Sequence, residues 1–414
     1  MSAHISLNFP DLSGYPPMVT PIATKQPPGG RAMARGGDNK AAKQRRQERE
    51  KQRRQARANR ETGPEEFGIK MPPKVPPGAR PPRPDYAGVD WDKLAATYPE
   101  GAHRLMRAML LALIGERPKQ AKDFLAWGLR PNPIHPESRL ARDNTAVTLD
   151  DEPNLVSSTA LYPVMNACEH LAAAAEVIAF AITQGQLRTS STAALCRIAM
   201  ESAAKTIWLI SEKDTEERIR RCYGFLKGER GRQEEFERLE AEALDARTDA
   251  LAEADLATFE TRRTRVIARQ AKIAALPTEA LAGPTGGPLK LVESAEDWMD
   301  EHLPRKPDPE LDDVMHPRSA KSFYSLGSGF VHGFKWLMGY VVDDEKLDDT
   351  PLLVITLDAF RNAIRMTEGA VSLYEAQAVG PRPDPRRVRN YPTGLADAVA
   401  ELAPIYQLDR TVAT

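Results

Sequence analysis

Of the 34 prolines in this 414-residue chain, 20 fall before residue 154, and none stands between Pro163 and Pro277. Proline inside a helix removes a backbone hydrogen bond and clashes with the preceding turn, so the long proline-free stretch is where extended helices can run. The contrast between this heart and its flanks organises the whole chain.

Inside the heart, PVMNACEHLAAAAEVIAFAITQG reads as a helix stopping at Gly185, a residue suited to a left-handed C-terminal cap. RTSSTAALCRIAMESAAKTIWLIS reads as the next helix, with Ser190, Ser191 and Thr192 as N-cap candidates. Its axis is surrounded by Leu195, Ile198, Ala199, Ala203, Ile207, Leu209 and Ile210, the pattern of a helix at the centre of a bundle.

After Thr215 the composition becomes strongly charged, with Phe236, Leu239, Leu244, Leu251, Phe259, Val266 and Ile273 at loosely heptad intervals. A single helix of that length would exceed ~80 Å at 1.5 Å per residue, so residues from about 214 to 276 are expected to form a helical hairpin or coiled-coil arm.

The flanks read differently. Residues 1 to about 85 are rich in Pro, Gly, Arg and Gln and poor in large apolar side chains, so they are expected to form a disordered tail. Residues 86–154 are expected to be a small helical lead-in of two short helices, the first with Leu105, Met109, Ala112 and Leu113 on one face and the second over QAKDFLAWGL. The bundle then occupies residues 155–378, and 379–414 form a loosely attached tail. Near its end, the stretch from Phe323 to about Val342 and TPLLVITLDAFRNAIRMTEGAVSLYEAQA supply two closing helices. The expected fold class is all-α: a helical bundle with a long charged coiled-coil-like hairpin and a disordered N-terminal tail.

Net charge is −1, which argues against a field attracting polyanions to the molecule as a whole, but Lys40 to Arg60 holds ten Lys or Arg against two Glu. Lys43, Arg45, Arg46, Arg49, Lys51, Arg53, Arg54 and Arg57 are therefore the candidate contacts to RNA or DNA phosphates. Aromatic rings are scarce there, so charge neutralisation without base stacking is the expected mode, and a solvated tail with no nucleic-acid role fits equally.

Cys168, Cys196 and Cys222 lie in apolar or helical surroundings without a CxxC pair, as buried free thiols would in a reducing compartment. The most apolar run, Leu171 to Ile182, carries a charge and falls short of the ~20 residues a membrane span needs. No charged start followed by an apolar stretch marks a secretory signal, so the expectation is a cytoplasmic protein without membrane association.

Two polar stripes carry the candidate chemistry. Arg197, Glu201 and Lys205 are spaced four apart on the central helix, where Arg197 and Glu201 can pair. Tyr324, Ser328 and His332 are also four apart, beside an expected helical apolar face of Phe323, Leu326, Phe330, Phe334, Leu337 and Val341. Gly327, Gly329, Gly333 and Gly339 cost a helix ~1 kcal/mol each unless another group approaches closely. If the stripes face one another, Arg197, Glu201, Tyr324, Ser328 and His332 form one cluster, with His332 or Glu201 as general base and Arg197 as an anion clamp. Glu169 and His170 on the preceding core helix, with Asn166 one turn away, are candidates to join it. The competing reading is an ion pair and satisfied polar groups that organise the bundle. No HExxH, di-iron ExxH pair, P-loop, GxGxxG in a βαβ setting or GxSxG elbow is present, so no metal or cofactor is expected.

The R-x-x-x-E of Arg197 and Glu201, the charged EERIRR helix after it, and the Y-x-x-x-S-x-x-x-H of Tyr324, Ser328 and His332 resemble uncharacterised all-helical proteins of actinobacteria and their phages. Some of these are similar to HEPN domains, whose active members are ribonucleases in toxin and phage-defence systems. The resemblance spans about residues 155–378 and implies catalytic roles only for Arg197, Glu201 and His332. Such enzymes place an Arg and a His a few residues apart on one helix; the nearest match here, Arg130 to His135, contains two prolines. Two functions are therefore expected: a helical interaction protein working through its arm and basic tail, with a second copy as a candidate partner, or a HEPN-like ribonuclease or nucleotide-binding defence protein.

Overall fold

The computed structural model describes residues 64–70, 88–149, 153–284, 286–303, 319–340, 350–382 and 394–406, with isolated positions at 47, 50–51, 342–343, 346–347, 387 and 391–392. Of the tail expected over residues 1–85, only 47, 50–51 and 64–70 are described, and all the basic-tail candidates except Lys51 lie outside the described residues. Lys51 is exposed.

The fold is all-α. A short 3-10 turn, Pro64–Phe67, precedes α1 (Trp91–Thr97) and α2 (Pro99–Leu129). Then come α3 (Arg139–Ala146), α4 (Leu155–Thr183) and α5 (Thr189–Ile210). The charged region forms α6 (Thr215–Asp245) and α7 (Ala252–Ala274), and α8 (Gly287–His302) leads to α9 (Ala320–His332). A 3-10 segment, Lys335–Tyr340, and a two-residue antiparallel pair, Val342–Asp343 with Lys346–Leu347, connect to α10 (Thr350–Ala378) and α11 (Leu395–Tyr406).

The core is built by α5, which packs against α4, α8, α9 and α10, while α2 closes the other side of α4. Burial is most complete on α10, where 22 of 29 residues are buried, so it shares with α5 the centre that composition assigned to α5 alone. Burying an apolar side chain stabilises by roughly 1.5–3 kcal/mol, which is why helices this apolar are drawn inward. One helix, α4, is long and apolar enough to cross a membrane by length and composition; here its buried positions pack on α2, α5 and α10.

Local chemistry explains the ends. Gly185 adopts φ +63° after α4, and the Gln186 and Gly185 N–H groups reach back to Ala181 O at 2.9 Å and Ile182 O at 3.0 Å, the Schellman arrangement expected of that glycine. At α5 the N-cap position is Arg188 and no side chain caps the helix, so the three hydroxyl residues singled out for that task do not perform it. α9 starts on the Ser319 hydroxyl, and Glu296 of α8 accepts from the Ala320 N–H at 2.8 Å.

Three expectations are corrected. The two short helices expected in the lead-in are one 31-residue helix running through Pro118, and Met109, Leu110, Ile114, Phe124 and Trp127 are buried in the main core; that packing offsets the hydrogen bond the proline removes. Phe67 and Ile69, assigned to the tail, are also buried, and Asp90 N–H bonds Phe67 O at 3.0 Å. The described residues of the C-terminal segment are anchored rather than loose: α11 packs on α10, Tyr406 Oη donates to Ser211 O at 2.7 Å, and Arg387 donates to the buried Glu375 Oε2 at 2.7 Å.

The charged region forms the expected hairpin. Gln270 Nε2 donates to Gln233 Oε1 at 3.2 Å and Arg262 bonds Glu240, a register that runs α6 and α7 antiparallel. Inward positions on α7, at Leu256, Phe259, Arg263, Val266, Gln270 and Ile273, alternate by three and four, the spacing that keeps one face toward a neighbouring helix. On α6 the facing positions include Gln233, Glu237 and Glu240, so the seam is polar on that side.

Candidate functional site

The two polar stripes meet. α9 runs antiparallel to α5, and Gly327 makes the approach close: a β-carbon there would lie 3.2 Å from Arg197 Cβ and 3.3 Å from its Cδ. The Arg197 chain thus lies along the backbone of α9, with its guanidinium 4.3 Å from the centroid of the Tyr324 ring. Arg197 Nε donates to Ser328 Oγ at 3.0 Å and Nη2 donates to Tyr324 Oη at 2.7 Å. Tyr324 Oη in turn donates to Glu201 Oε2 at 2.8 Å, and Lys205 Nζ stands 3.1 Å from Glu201 Oε1.

The cluster is half-buried: the side chains of Arg197, Glu201 and Lys205 are 15%, 21% and 31% exposed. Burial disfavours the charge on Glu201, yet Lys205, the Tyr324 hydrogen bond and Arg197 together hold its carboxyl below the usual carboxylate range. Burial and the adjacent Glu201 push the Tyr324 phenol well above its ordinary value. Glu201 is thereby fixed as an anion and Tyr324 as a neutral donor, so neither is poised to exchange a proton near pH 7.

His332 stands apart. It is exposed on the last turn of α9 and stacks on Phe334 with centroids 5.5 Å apart, and none of the hydrogen bonds described for the cluster reaches it. The helix α9 is also shorter than its sequence suggests: Gly333 takes φ +63°, and Phe334 N–H folds back to Gly329 O at 3.0 Å. Phe334 and Leu337 therefore do not continue the helical face, and Val341 lies outside the described residues. Leu337 and Trp336 return over Gly329, where a β-carbon would lie 2.9 Å from the Trp336 ring.

The neighbouring candidates join only indirectly. Asn166 Nδ2 donates to Ser202 Oγ at 2.8 Å, one residue from Glu201, whereas His170 Nδ1 bonds its own helix at Asn166 O. Among the described residues, no group of three or more His, Cys, Asp or Glu side chains is placed to hold a metal. All three cysteines are buried and free, and burial raises each thiol, Cys222 to about 12.

Two buried ionic networks had no sequence signal. Arg218 and Asp143, 75 positions apart, form a fully buried pair to which Thr215 and Arg139 are added. Glu375, also fully buried, accepts from Trp127 Nε1 at 2.8 Å and from Arg387. Both join segments from different parts of the chain, which neither periodicity nor spacing reveals.

Comparison of the chain with protein-family models, with curated proteins and with solved structures finds no match.

Proposed function

We propose that the chain is a non-enzymatic helical interaction protein whose working surface is the arm of α6 and α7, and whose partner is a second copy. The observation that carries this reading is the exposure of Phe236, Leu239, Leu251 and Ile267, at 54%, 50%, 65% and 54%, on a hairpin whose own seam is polar on the α6 side and leaves these four side chains outside it. Phe236 and Leu239 lie one turn apart on α6, with Arg262 over the Phe236 ring.

Charge supports a second copy. From Glu229 to Asp245, α6 carries seven acidic and three basic residues, while α7 carries three acidic and five basic. A two-fold arrangement placing α6 of one copy on α7 of the other satisfies both contacts at once, and opposite charges flanking an apolar contact set partner and register. The polar cluster supports the non-enzymatic half of the reading. Arg197 and Glu201 are occupied by protein groups and His332 stands outside, so the cluster acts as a tie between α5 and α9 rather than as the Arg and His constellation of a ribonuclease.

Sedimentation of the full chain tests the arm. The expected result is a dimer that Phe236→Glu with Leu239→Glu converts to a monomer of unchanged helix content; a wild-type monomer at every concentration overturns the second-copy reading. The basic tail is proposed as an auxiliary contact to nucleic acid on its local charge of +8 between residues 40 and 60. Deleting those residues should abolish a salt-dependent retention of RNA or DNA, and retention unaffected by the deletion would remove this role.

A further inference from the structure

Beyond the polar cluster, the start of α5, the end of α9 with its following 3-10 segment, and Leu352 of α10 line a half-open pocket of about 540 Å³. That is within the roughly 300–1,000 Å³ typical of small-molecule sites. Its lining is sorted by chemistry. Leu187, Phe330, Leu337 and Leu352 form an apolar floor, and Phe334, Met338 and Tyr340 form an apolar mouth. Those three mouth residues are 50%, 53% and 45% exposed, a concentration of large apolar groups in one short segment facing solvent.

The remaining wall is polar and cationic. Arg188 and Lys335 line it with the hydroxyls of Ser190 and Ser191, and among the described residues no carboxylate lines it. Among the described residues neither cation has an ion-pair partner, and α5 begins at this wall with no side-chain cap on its first turn. A net charge of +2 beside a hydrocarbon surface suits an anionic head on an apolar body. The apolar half offers no amide or carboxylate to satisfy the polar edges of a nucleobase, so a hydrocarbon body fits better than a nucleotide.

We propose that this cavity binds a small amphiphilic anion, a medium-chain acyl carboxylate or alkyl phosphate, with its head at Arg188 and Lys335 and its chain over Phe330, Leu337 and Leu352. The site is independent of the arm.

Titration calorimetry of the full chain with dodecanoate below its micellar concentration tests the proposal, with dodecanol, dodecyl phosphate, adenosine monophosphate and inorganic phosphate as comparators. Saturable one-to-one binding of dodecanoate or dodecyl phosphate is expected, and the stronger of the two identifies the head group. Dodecanol should bind at least tenfold more weakly. Arg188→Glu with Lys335→Glu, both at exposed positions, should weaken the anions tenfold or more while leaving helix content and melting temperature unchanged. Leu352→Gln, read beside its own melting curve, should weaken the alkyl ligands without creating affinity for phosphate. The proposal is overturned if neither alkyl anion saturates, if the charge-reversed variant binds them as the wild type does, or if adenosine monophosphate binds more tightly than either.

Discussion

Arg218 grips Asp143 through two hydrogen bonds, Nε to Oδ2 at 2.6 Å and Nη2 to Oδ1 at 2.7 Å, and neither side chain reaches water. The pair ties the first turn of α6 to α3, so the arm is rooted in the bundle by an ionic contact rather than by apolar packing alone. A buried pair contributes little against a well-packed apolar replacement, but removing one partner strands a charge. Arg218→Ala should therefore cost about 3–5 kcal/mol in urea unfolding. Arg218→Met combined with Asp143→Leu should recover most of that loss, and a single-site cost below ~1 kcal/mol would show that water or a rearrangement satisfies Asp143.

The tie between α5 and α9 makes a different prediction for each of its sequence candidates. Tyr324→Phe removes the hydroxyl that accepts from Arg197 and donates to Glu201, and should destabilise by about 1–3 kcal/mol. His332→Ala, at an exposed position outside those bonds, should stay within about 0.5 kcal/mol. Equal effects from the two changes in thermal melts would contradict the separation of His332 from the cluster.

Acid should loosen the same contact. The folded-state pKa of Glu201 lies below its unfolded value, so the stability it contributes is fully present above the ordinary carboxylate range and is lost as pH falls through the depressed folded value. The expected window opens below pH ~4.5. Glu201→Gln should be less stable than the wild type at pH 7, and the gap between the two should close as the solution is acidified. A gap that widens toward low pH would reverse the assigned sign.

Two glycines of α6 should respond in opposite directions. A β-carbon at Gly224 would fall 2.1 Å from the carbonyl oxygen of Ala282, whose own N–H bonds Arg220 O at 2.9 Å. Because the obstacle is backbone, Gly224→Ala should cost about 1–3 kcal/mol by pushing the segment after α7 off the root of the arm. Nothing lies within 4 Å of a β-carbon at Gly228. Gly228→Ala should thus stabilise by roughly 0.5–1 kcal/mol through helix propensity. Parallel urea titrations of the two variants check the contrast.

Much of this architecture was legible before any coordinates. Gly185 marked the end of α4 because a left-handed cap is a local demand that few residues meet without strain. The apolar surround of α5, the hairpin and the buried thiols were legible for the same reason: periodicity and composition report what a segment must do with its own surface. The tie between Arg197, Glu201, Tyr324 and Ser328 was half legible, since each stripe is periodic along its helix while the meeting of the two depends on how α5 and α9 cross.

What misled was local as well. Phe334 and Leu337 continued the apolar rhythm of α9, but Gly333 ended the helix before them, while His332, grouped with the cluster by its spacing, stands exposed on the last turn. Pro118 and the proline-rich C-terminal segment looked like interruptions, yet burial of the surrounding α2 face and the grip of Arg387 on Glu375 outweighed those signals.

By itself the sequence determined that this chain is helical, where its longest helices run and which stripes are polar, because those properties follow from each residue's own propensity and the 3.6-residue period. Only the tertiary structure decided which stripes touch, that Asp143 and Arg218 are buried together, and that a cationic, apolar-floored cavity opens at the start of α5. Those outcomes depend on contacts between segments far apart in sequence, whose energies are settled by packing across helices and leave no trace in the order of residues along any one of them.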